Sequence, residues 1–276
     1  MTVLSDQLRR RISRLRPDWD IDAVSGFIYL EGGYSNDNYR FEYGGERHVL
    51  RVPSQHRPFV DRGLEQRLYE QSAAVGMPEL EAFDVESGDM ISRWVPGVML
   101  ADCHPTSAEL VEYLRQLHQQ MPTVERVYDP LEQARRHLEQ AAAPDWVQQL
   151  AARLRWAPEQ LVPCHNDLNP WNVICTPGGG WVTLDWEWAG RNDPLFDLVT
   201  LHQGANLPDA ELQPLCRRFI GESPAASRLN RCLTVFWLRE ATWAMVEIGT
   251  GNDRPEVVEQ REMGLARLRQ LTDGAS

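Results

Sequence analysis

Four polar residues in the second half of the chain have types and a spacing that could perform chemistry. They are His165, Asp167, Asn172 and Asp185. The first three spell H-x-D-x-x-x-x-N, the pattern of a phosphoryl-transfer loop, and Asp185 follows thirteen residues after Asn172 at the end of an apolar run. Phosphoryl transfer needs an acceptor for the proton of the attacking hydroxyl and oxygen ligands for Mg²⁺. Asp167 is placed for the first role, and Asn172 and Asp185 are placed for the second.

A predicted hairpin would bring the two metal-ligand candidates together. Residues 173–175 and 181–184 are apolar and strand-like, and residues 177–180 (PGGG) between them are strong turn sequence. Folded as a hairpin, these strands return Asp185 beside Asn172. The competing interpretation is an ordinary polar loop and hairpin, or a non-catalytic binding protein on a kinase-like scaffold.

Strands dominate the first third of the chain and helices dominate the rest. Strand patterns cover 27–30, 39–43, 48–53, 81–85 and 89–94. Helical patterns cover 4–16, 59–75, 107–121, 130–142, 145–155, 209–220, 224–249 and 254–272. This order predicts an α+β chain with a bilobal protein-kinase-like fold, which has a small antiparallel-sheet N-terminal lobe and a larger helical C-terminal lobe. The predicted domains are a nucleotide-binding lobe at 1–94 and a catalytic and substrate-binding lobe at 95–276.

The chain contains no lysine, since all 28 of its basic residues are arginine. A Walker A motif and Schiff-base chemistry both require lysine, so both are excluded. In a kinase-like protein, the strand lysine that binds the nucleotide phosphates must here be an arginine. Arg51, between Leu50 and Val52 in the third predicted strand, stands at that place, and an exposed strand arginine is the alternative. Its ion-pair partner would come from the next predicted helix, where Glu65 and Glu70 are the candidates.

Composition limits the class of protein and its partners. With 276 residues, 42% hydrophobic and 25% charged, the chain is typical of a globular protein, and no apolar run reaches the length for membrane insertion. A formal charge of −12 argues against nucleic acid and suits a cationic small molecule. The N-terminus lacks the apolar segment of a secretory signal and the five cysteines contain no CxxC pair, so we expect a cytoplasmic protein with free thiols. The sequence leaves the oligomeric state open.

Three segments resemble the aminoglycoside phosphotransferase and choline kinase superfamily. They are 165–172 (HNDLNPWN), 184–190 (LDWEWAG) and 192–198 (NDPLFDL). Within the superfamily they are most similar to the choline, ethanolamine and thiamine kinase branch, and weaker similarity extends over most of the chain. The resemblance implies a kinase-like fold, ATP and Mg²⁺ as cofactors and a small alcohol as the acceptor.

The same resemblance implies roles for residues outside the catalytic loop. It implies phosphate contacts for Ser35 and Asn36, which lie in a turn between two predicted strands. It favours Glu65 as the partner of Arg51, because the D-R-x-x-E spacing before and at Glu65 matches the family. It also implies that Asp197 hydrogen-bonds the backbone of the catalytic loop.

Acidic and aromatic residues suggest a cationic acceptor. Glu187 shares the face of Asp185 in an extended chain, so it could contact Mg²⁺ through water or attract a cation, and Trp188 follows it. On a later predicted helix, Glu240 and Trp243 lie on one face. Aromatic rings with carboxylates bind quaternary ammonium ions, although tryptophans at helical spacing also occur in cores. The sequence therefore predicts an ATP- and Mg²⁺-dependent kinase of a choline-like alcohol, with thiamine or an aminoglycoside as alternative acceptors.

Overall fold

The structure, a computed structural model, describes residues 4–32, 35–54, 59–71 and 76–273. It divides into two compact units. The first unit comprises Met1–His104, Gln120–Pro122 and Trp171–Trp188, and the second comprises Pro105–Gln119, Thr123–Pro170 and Ala189–Ser276. Asn172 and Asp185 thus belong to the first unit and Asp167 to the second. The predicted division into functional lobes after residue 94 concerns ligand binding and stays a prediction.

Strands precede most of the helices, as the sequence predicts. The strands are β1 Ser25–Leu30, β2 Asn36–Tyr43, β3 Glu46–Pro53, β4 Leu80–Phe83, β5 Met90–Arg93, β6 Val98–Met99, β7 Val162–Cys164, β8 Val173–Cys175, β9 Trp181–Thr183 and β10 Gly190–Asn192. The helices are α1 Asp6–Leu15, α2 Arg62–Glu70, α3 Ser107–Gln120, α4 Pro130–Gln140, α5 Asp145–Arg153, α6 Pro194–Gly204, α7 Asp209–Ile220, α8 Ala226–Gly249 and α9 Pro255–Asp273. Within the described ranges, no helix is long and apolar enough to cross a membrane.

The first unit contains an antiparallel sheet with the strand order β1-β2-β3-β5-β4. Leu50 and Val52 of β3 are buried in a hydrophobic cluster with Ile12 of α1 and Phe41 of β2. Because successive side chains of a strand point to opposite faces, Arg51 lies on the other face of the sheet. It is nevertheless buried there, with 4% of its surface exposed, which requires charged or polar partners.

Helix α2 supplies those partners. It begins at Arg62 rather than at the predicted residue 59, because the Asp61 side chain caps it by accepting a hydrogen bond from the Leu64 N–H (2.9 Å). The last four residues of the predicted helix, 72–75, lie outside the described residues. The buried face of α2 includes a carboxylate, Glu65, among apolar and aromatic side chains.

The predicted hairpin is present in the first unit as β8 and β9, with Val173 opposite Thr183. Strand β6 pairs with the other edge of β8. Gly97 precedes β6 and permits this close approach, because a β-carbon there would lie 2.3 Å from the Cys175 carbonyl oxygen. The hairpin is therefore fixed on both sides of β8.

The second unit is mainly helical, and α8 packs against α4, α6 and α9. Helix α6 is absent from the sequence prediction. Its residues from Pro194 to Gln203 are all buried, so it has no polar face and no amphipathic period that a pattern search could detect. The paired strands β7 and β10, with Gly190 opposite Cys164, are also too short to give a period.

Candidate active site

The β8–β9 hairpin brings the two metal-ligand candidates together. The N–H of Leu184, the residue before Asp185, donates a hydrogen bond to the Asn172 carbonyl oxygen at 2.8 Å. Asp185 itself has a left-handed backbone, with φ of 60°. Such conformations in non-glycine residues are uncommon and concentrate at functional sites. The predicted return of Asp185 to the backbone of Asn172 is confirmed.

Arg51 joins β3 to both α2 and the hairpin. Its Nη1 donates to Glu65 Oε1 at 2.6 Å and to Asp185 Oδ1 at 3.3 Å. Burial alone would lower the pKa of Arg51 and raise that of Glu65, but their mutual attraction dominates, so the Arg51 pKa is raised and the Glu65 pKa is lowered. The rival candidate, Glu70, instead accepts a hydrogen bond from Gln66 on the exposed side of α2.

A second arginine extends this network within the first unit. Arg62 Nη1 lies 2.7 Å from Glu65 Oε2 and 3.0 Å from Glu187 Oε2. Glu187 is buried, with 2% of its surface exposed. Trp188 is buried as well, and its ring stacks on Phe59 with centroids 5.6 Å apart. The predicted roles of Glu187 and Trp188 in binding the acceptor stay predictions.

Asn36 lies beside Asp185 at the start of β2. Its Nδ2 donates to Asp185 Oδ2 at 3.4 Å, and its buried Oδ1 has no hydrogen-bond partner among the described residues. The Ser35 carbonyl oxygen accepts from the N–H and the hydroxyl of Ser54, at 3.1 and 2.7 Å. Residues 33 and 34 of the same turn lie outside the described residues.

The residues around Asp185 fit a hard divalent cation. Asp185 and Asn172 offer a carboxylate and an amide oxygen, the ligand types that Mg²⁺ takes. The connected charges are those of Arg51, Arg62, Glu65, Asp185 and Glu187. Among the described residues of this network, three carboxylates and two guanidinium groups leave one net negative charge, which a cation would offset. If Mg²⁺ binds, Asn172 and Asp185 are the residues that would hold it, and it would neutralise charge on the phosphates.

The loop that carries Asp167, in the second unit, is held by an aspartate on α6. Asp197 accepts the N–H of His165 on Oδ2 (2.9 Å) and the N–H of Asn166 on Oδ1 (2.7 Å). His118 Nε2 lies 2.8 Å from Asp197 Oδ2. Burial alone would raise the pKa of Asp197, but His118 and His165 lower it below its usual value. The implied role of Asp197 is therefore observed. The N–H of Asp167 donates to His165 Nδ1 at 3.2 Å, which fixes the loop further.

Arg239 on α8 is a site residue that the sequence prediction missed. Its Nη2 donates to Asp167 Oδ1 at 3.1 Å, and its Nη1 donates to the Asn166 carbonyl oxygen. Burial alone would lower the Arg239 pKa, but Tyr128, Glu240 and Asp167 raise it. No motif marks this arginine among the 28 in the chain. Only its place one residue before a predicted substrate residue, Glu240, could have drawn attention to it.

The predicted acceptor residues on α8 differ in their surroundings. Both oxygens of Glu240 have partners, Oε1 with Arg239 (2.8 Å) and Oε2 with Gln260 Nε2 (3.1 Å). Trp243 is half-buried one turn later. Glu247, on the same helical face, is buried and accepts from Asn252 Nδ2 at 2.9 Å, at the C-terminal end of α8. The roles of Glu240 and Trp243 in acceptor binding stay predictions.

Comparison with known proteins defines the class. The model of the family described as "Phosphotransferase enzyme family" matches residues 27–229, most of the chain. The chain therefore belongs to this family, and the resemblance found in the sequence is confirmed.

Individual relatives agree with this assignment. Protein LicA of Haemophilus influenzae is 27% identical over 200 residues, which are 64% of this chain and 57% of that protein. The chain thus spans less than two thirds of that relative. The solved structure of a choline/ethanolamine kinase family protein from Mesorhizobium loti has a TM-score of 0.74 at 20% identity and covers 98% of this chain and 95% of that one. The structure of LicA in complex with AMP has a TM-score of 0.77 at 17% identity, with 98% and 100% covered. The protein-kinase-like fold is confirmed.

Proposed function

We propose that this protein is a small-molecule kinase that transfers the γ-phosphoryl group of ATP, with Mg²⁺, to the hydroxyl of a small cationic alcohol of the choline type. The observation that carries the proposal is the buried Arg51, which contacts Glu65 and Asp185 together. Membership of the phosphotransferase family supports it. The two solved relatives, a choline/ethanolamine kinase family protein and LicA in complex with AMP, favour this acceptor and this nucleotide.

Arg51 is proposed to bind the nucleotide phosphates. Its Nε is buried and has no hydrogen-bond partner among the described residues, and its Nη2 contacts only the Gly88 carbonyl oxygen there, at 3.5 Å. A buried donor without a partner is costly, so a ligand oxygen would stabilise the site. Glu65 fixes the guanidinium, as the helix glutamate does in protein kinases. Ser35 and Asn36 are proposed to contact the phosphates from the turn before β2.

Asp167 is proposed to be the catalytic base. The acceptor hydroxyl oxygen forms a bond to the γ-phosphorus, the bond from that phosphorus to the bridging oxygen of ADP breaks, and the hydroxyl proton passes to the Asp167 carboxylate. Asp167 is half-exposed, with 26% of its side chain accessible, while the preceding residues of the loop are buried. A half-exposed carboxylate on a fixed loop can meet a substrate hydroxyl without the loop rearranging.

Charge favours a cationic acceptor. Among the described ion pairs at the proposed base, the guanidinium of Arg239 is shared by two carboxylates, those of Asp167 and Glu240. Trp243 is one turn further along the same helix and could contact an ammonium group with its ring. Glu187 and Trp188 are the other proposed acceptor residues. Thiamine and aminoglycosides are cationic alcohols too, so they stay as alternative acceptors.

The proposal is tested by following ATP consumption by the purified protein with Mg²⁺ and one candidate acceptor at a time. The panel contains choline, ethanolamine, thiamine and several aminoglycosides, and Asp167→Ala is the control. We expect turnover that depends on the acceptor, is fastest for choline or ethanolamine and is lost in Asp167→Ala. Mg²⁺-dependent ATP binding without turnover on any acceptor would instead favour a binding protein, and absence of ATP binding would refute the role of Arg51.

A further inference from the structure

Every N–H group of the Arg239 guanidinium has an acceptor inside the second unit. Nε and Nη2 both donate to Glu240 Oε1, at 3.0 and 2.8 Å. Nη2 also donates to Asp167 Oδ1 at 3.1 Å. Nη1 donates to the Tyr128 hydroxyl at 3.3 Å and to the Asn166 carbonyl oxygen. A guanidinium has five N–H donors, and all five are used.

The surroundings of Arg239 prevent it from serving a ligand instead. Only 3% of its surface is exposed. Its guanidinium carbon lies 5.3 Å from the ring centre of Phe196 and 5.8 Å from that of Phe236, within the range of cation–π attraction. A phosphate or an acceptor could bind to Arg239 only by replacing one of the five hydrogen bonds. Arg239 therefore binds other residues of the protein rather than a ligand.

Arg239 holds groups of Asn166 and Asp167, the two adjacent residues that include the proposed base. Asn166 has a left-handed backbone, with φ of 69°. Its N–H donates to Asp197 of α6, while its carbonyl oxygen accepts from Arg239 of α8. Its side chain donates to the Cys164 and Gly190 carbonyl oxygens, at 3.2 and 3.1 Å. Two helices thus fix opposite ends of one strained residue, directly before Asp167.

We propose that Arg239 is the positioning residue of the catalytic loop, which sets the orientation of Asp167 by binding its carboxylate and the Asn166 carbonyl oxygen at once. This inference rests on the proposed function, because it takes Asp167 as the base. Glu240 then acts through Arg239, because its carboxylate accepts hydrogen bonds from Arg239 Nε and Nη2 and so helps to hold the guanidinium. This role is in addition to its predicted part in attracting the acceptor. In the sequence, only the adjacent pair Arg239–Glu240 hints at this positioning role.

Loss of Arg239 should affect the chemical step in two ways. A carboxylate that is free to turn misplaces the acceptor hydroxyl, and small misplacements cost about 100-fold in rate. The titratable and charged groups near Asp167 within the described second unit include Arg239, Glu240, the neutral hydroxyl of Tyr128 and His165. Without the guanidinium, the negative charge of Glu240 is no longer offset by Arg239, so the protonated form of the Asp167 carboxyl is favoured. The acidic limb of the dependence of kcat/KM on pH should therefore move to higher pH.

The test compares Arg239→Gln and Arg239→Lys with a matched control on the same helix. The control is Arg228→Gln, because Arg228 is also buried and also binds a carboxylate, that of Asp193, at 3.0 and 2.7 Å. For each variant we would measure kcat, the KM for ATP, the pH profile of kcat/KM and the melting temperature. All measurements use the full chain with Mg²⁺, ATP and the acceptor found active in the panel.

We expect Arg239→Gln to lower kcat by about 30-fold with a KM for ATP within twofold of the parent, and to move the acidic limb upward. Arg239→Lys keeps the charge but offers three donors, so the limb should stay in place while kcat falls less. Arg228→Gln should lower the melting temperature and leave the pH profile unchanged. If Arg239→Gln is too unstable to purify, Arg239→Lys still decides, since unchanged kcat in that variant would refute the need for five hydrogen bonds.

A separate variant distinguishes this inference from the proposed function. Asp167→Asn should be inactive, and adding Arg239→Gln to it should lower the residual rate no further, because both changes act on one group. Full turnover in Asp167→Asn would refute the base itself. An inactive Asp167→Asn together with an Arg239→Gln that behaves as Arg228→Gln does would refute only the positioning role.

Discussion

Two buried arginines, Arg51 in the first unit and Arg239 in the second, both bind carboxylates but differ in how many of their N–H groups have protein acceptors. Arg51 contacts Glu65 and Asp185 through one nitrogen, Nη1, and its Nε has no partner among the described residues. Arg239 uses all of its N–H groups on protein acceptors. Both are 3–4% exposed, so exposure alone does not separate them.

The difference separates binding from positioning. A buried guanidinium with an unused donor has a desolvation cost that a ligand can remove, whereas a saturated one stabilises the protein as it stands. Changes around Arg51 should therefore alter nucleotide binding, with a smaller loss of stability than changes around Arg239. Changes around Arg239 should alter stability and the chemical step with little effect on nucleotide binding.

The largest expected effect follows Arg51→Met. Loss of a charged hydrogen-bond donor to phosphate costs about 2–3 kcal/mol, so the KM for ATP should rise by about 100-fold. The melting temperature should fall less than in Arg239→Gln, because Glu65 keeps its second partner, Arg62 (2.7 Å). Steady-state kinetics with varied ATP measures the KM, and a thermal melt measures the melting temperature. A large loss of stability with an unchanged KM for ATP would show that Arg51, like Arg239, serves the protein structure rather than nucleotide binding.

Asp197→Asn should give the next largest effect, on stability. An amide has one acceptor oxygen, so one of the two loop N–H groups loses its partner at a cost of about 2 kcal/mol. Because the pKa of Asp197 is lowered in the folded state, its charge stabilises the protein above the usual carboxyl pKa, and this contribution is lost as pH falls through the lowered value.

The free energy of unfolding by urea at neutral pH and near pH 3 measures this contribution. The difference in unfolding free energy between the parent and Asp197→Asn should be largest at neutral pH and should narrow towards the acidic end. The matched control is Asp209→Asn, which breaks an exposed ion pair with Arg267 and should cost less than about 1 kcal/mol. Equal losses in both variants at neutral pH would contradict the role of Asp197.

Glu65→Gln should raise the KM for ATP by about tenfold, since the amide keeps the shape but loses the charge that fixes Arg51. Glu70→Gln is the matched control on the same helix. Within the described part of the chain, Glu70 accepts a hydrogen bond from Gln66 Nε2 at 2.8 Å on the exposed side of α2, so its change should leave the KM within twofold. A similar KM for ATP in the two variants would refute the role of Glu65 in nucleotide binding.

Tyr128→Phe should have the smallest effect. It removes the hydroxyl that accepts a hydrogen bond from Arg239 Nη1 (3.3 Å) and donates one to Gln133, and it leaves the contacts of Arg239 with Asp167 and Glu240 in place. Burial raises the pKa of Tyr128 to about 12, so its hydroxyl is neutral at ordinary pH. We expect a loss of about 1 kcal/mol in stability and a kcat within threefold of the parent. A larger fall in kcat would assign Tyr128 a part in the chemistry.

Sequence reasoning anticipated observed contacts where the chemistry prescribes both residue type and spacing. The turn-rich hairpin returns Asp185 to the backbone of Asn172, as predicted, while the roles that the loop motif assigns to Asp167 and Asn172 stay predictions. The absence of lysine led to Arg51, and its contact with Glu65 is observed. Each of these signals is local, or repeats with the period of one strand or helix.

Contacts across long stretches of chain gave no such signal. Arg239 lies 72 residues from Asp167, and nothing in the sequence pairs these two residues. Helix α6 is buried on every side, so it lacks the polar face that reveals a helix. It carries Asp197, whose role came from the resemblance rather than from its pattern. Arg62, the partner of Glu187, lies just before Glu65, but only the fold brings it to Glu187.

We propose that nucleotide and metal binding depend on first-unit residues, whereas proton transfer depends on the second unit. The most direct measurement is calorimetric titration of ATP, with and without Mg²⁺, into the parent, Asp167→Ala and Asp185→Ala. We expect Asp167→Ala to bind MgATP as the parent does, and Asp185→Ala to lose the dependence of ATP affinity on Mg²⁺. Loss of binding in Asp167→Ala, or unchanged Mg²⁺ dependence in Asp185→Ala, would contradict the account.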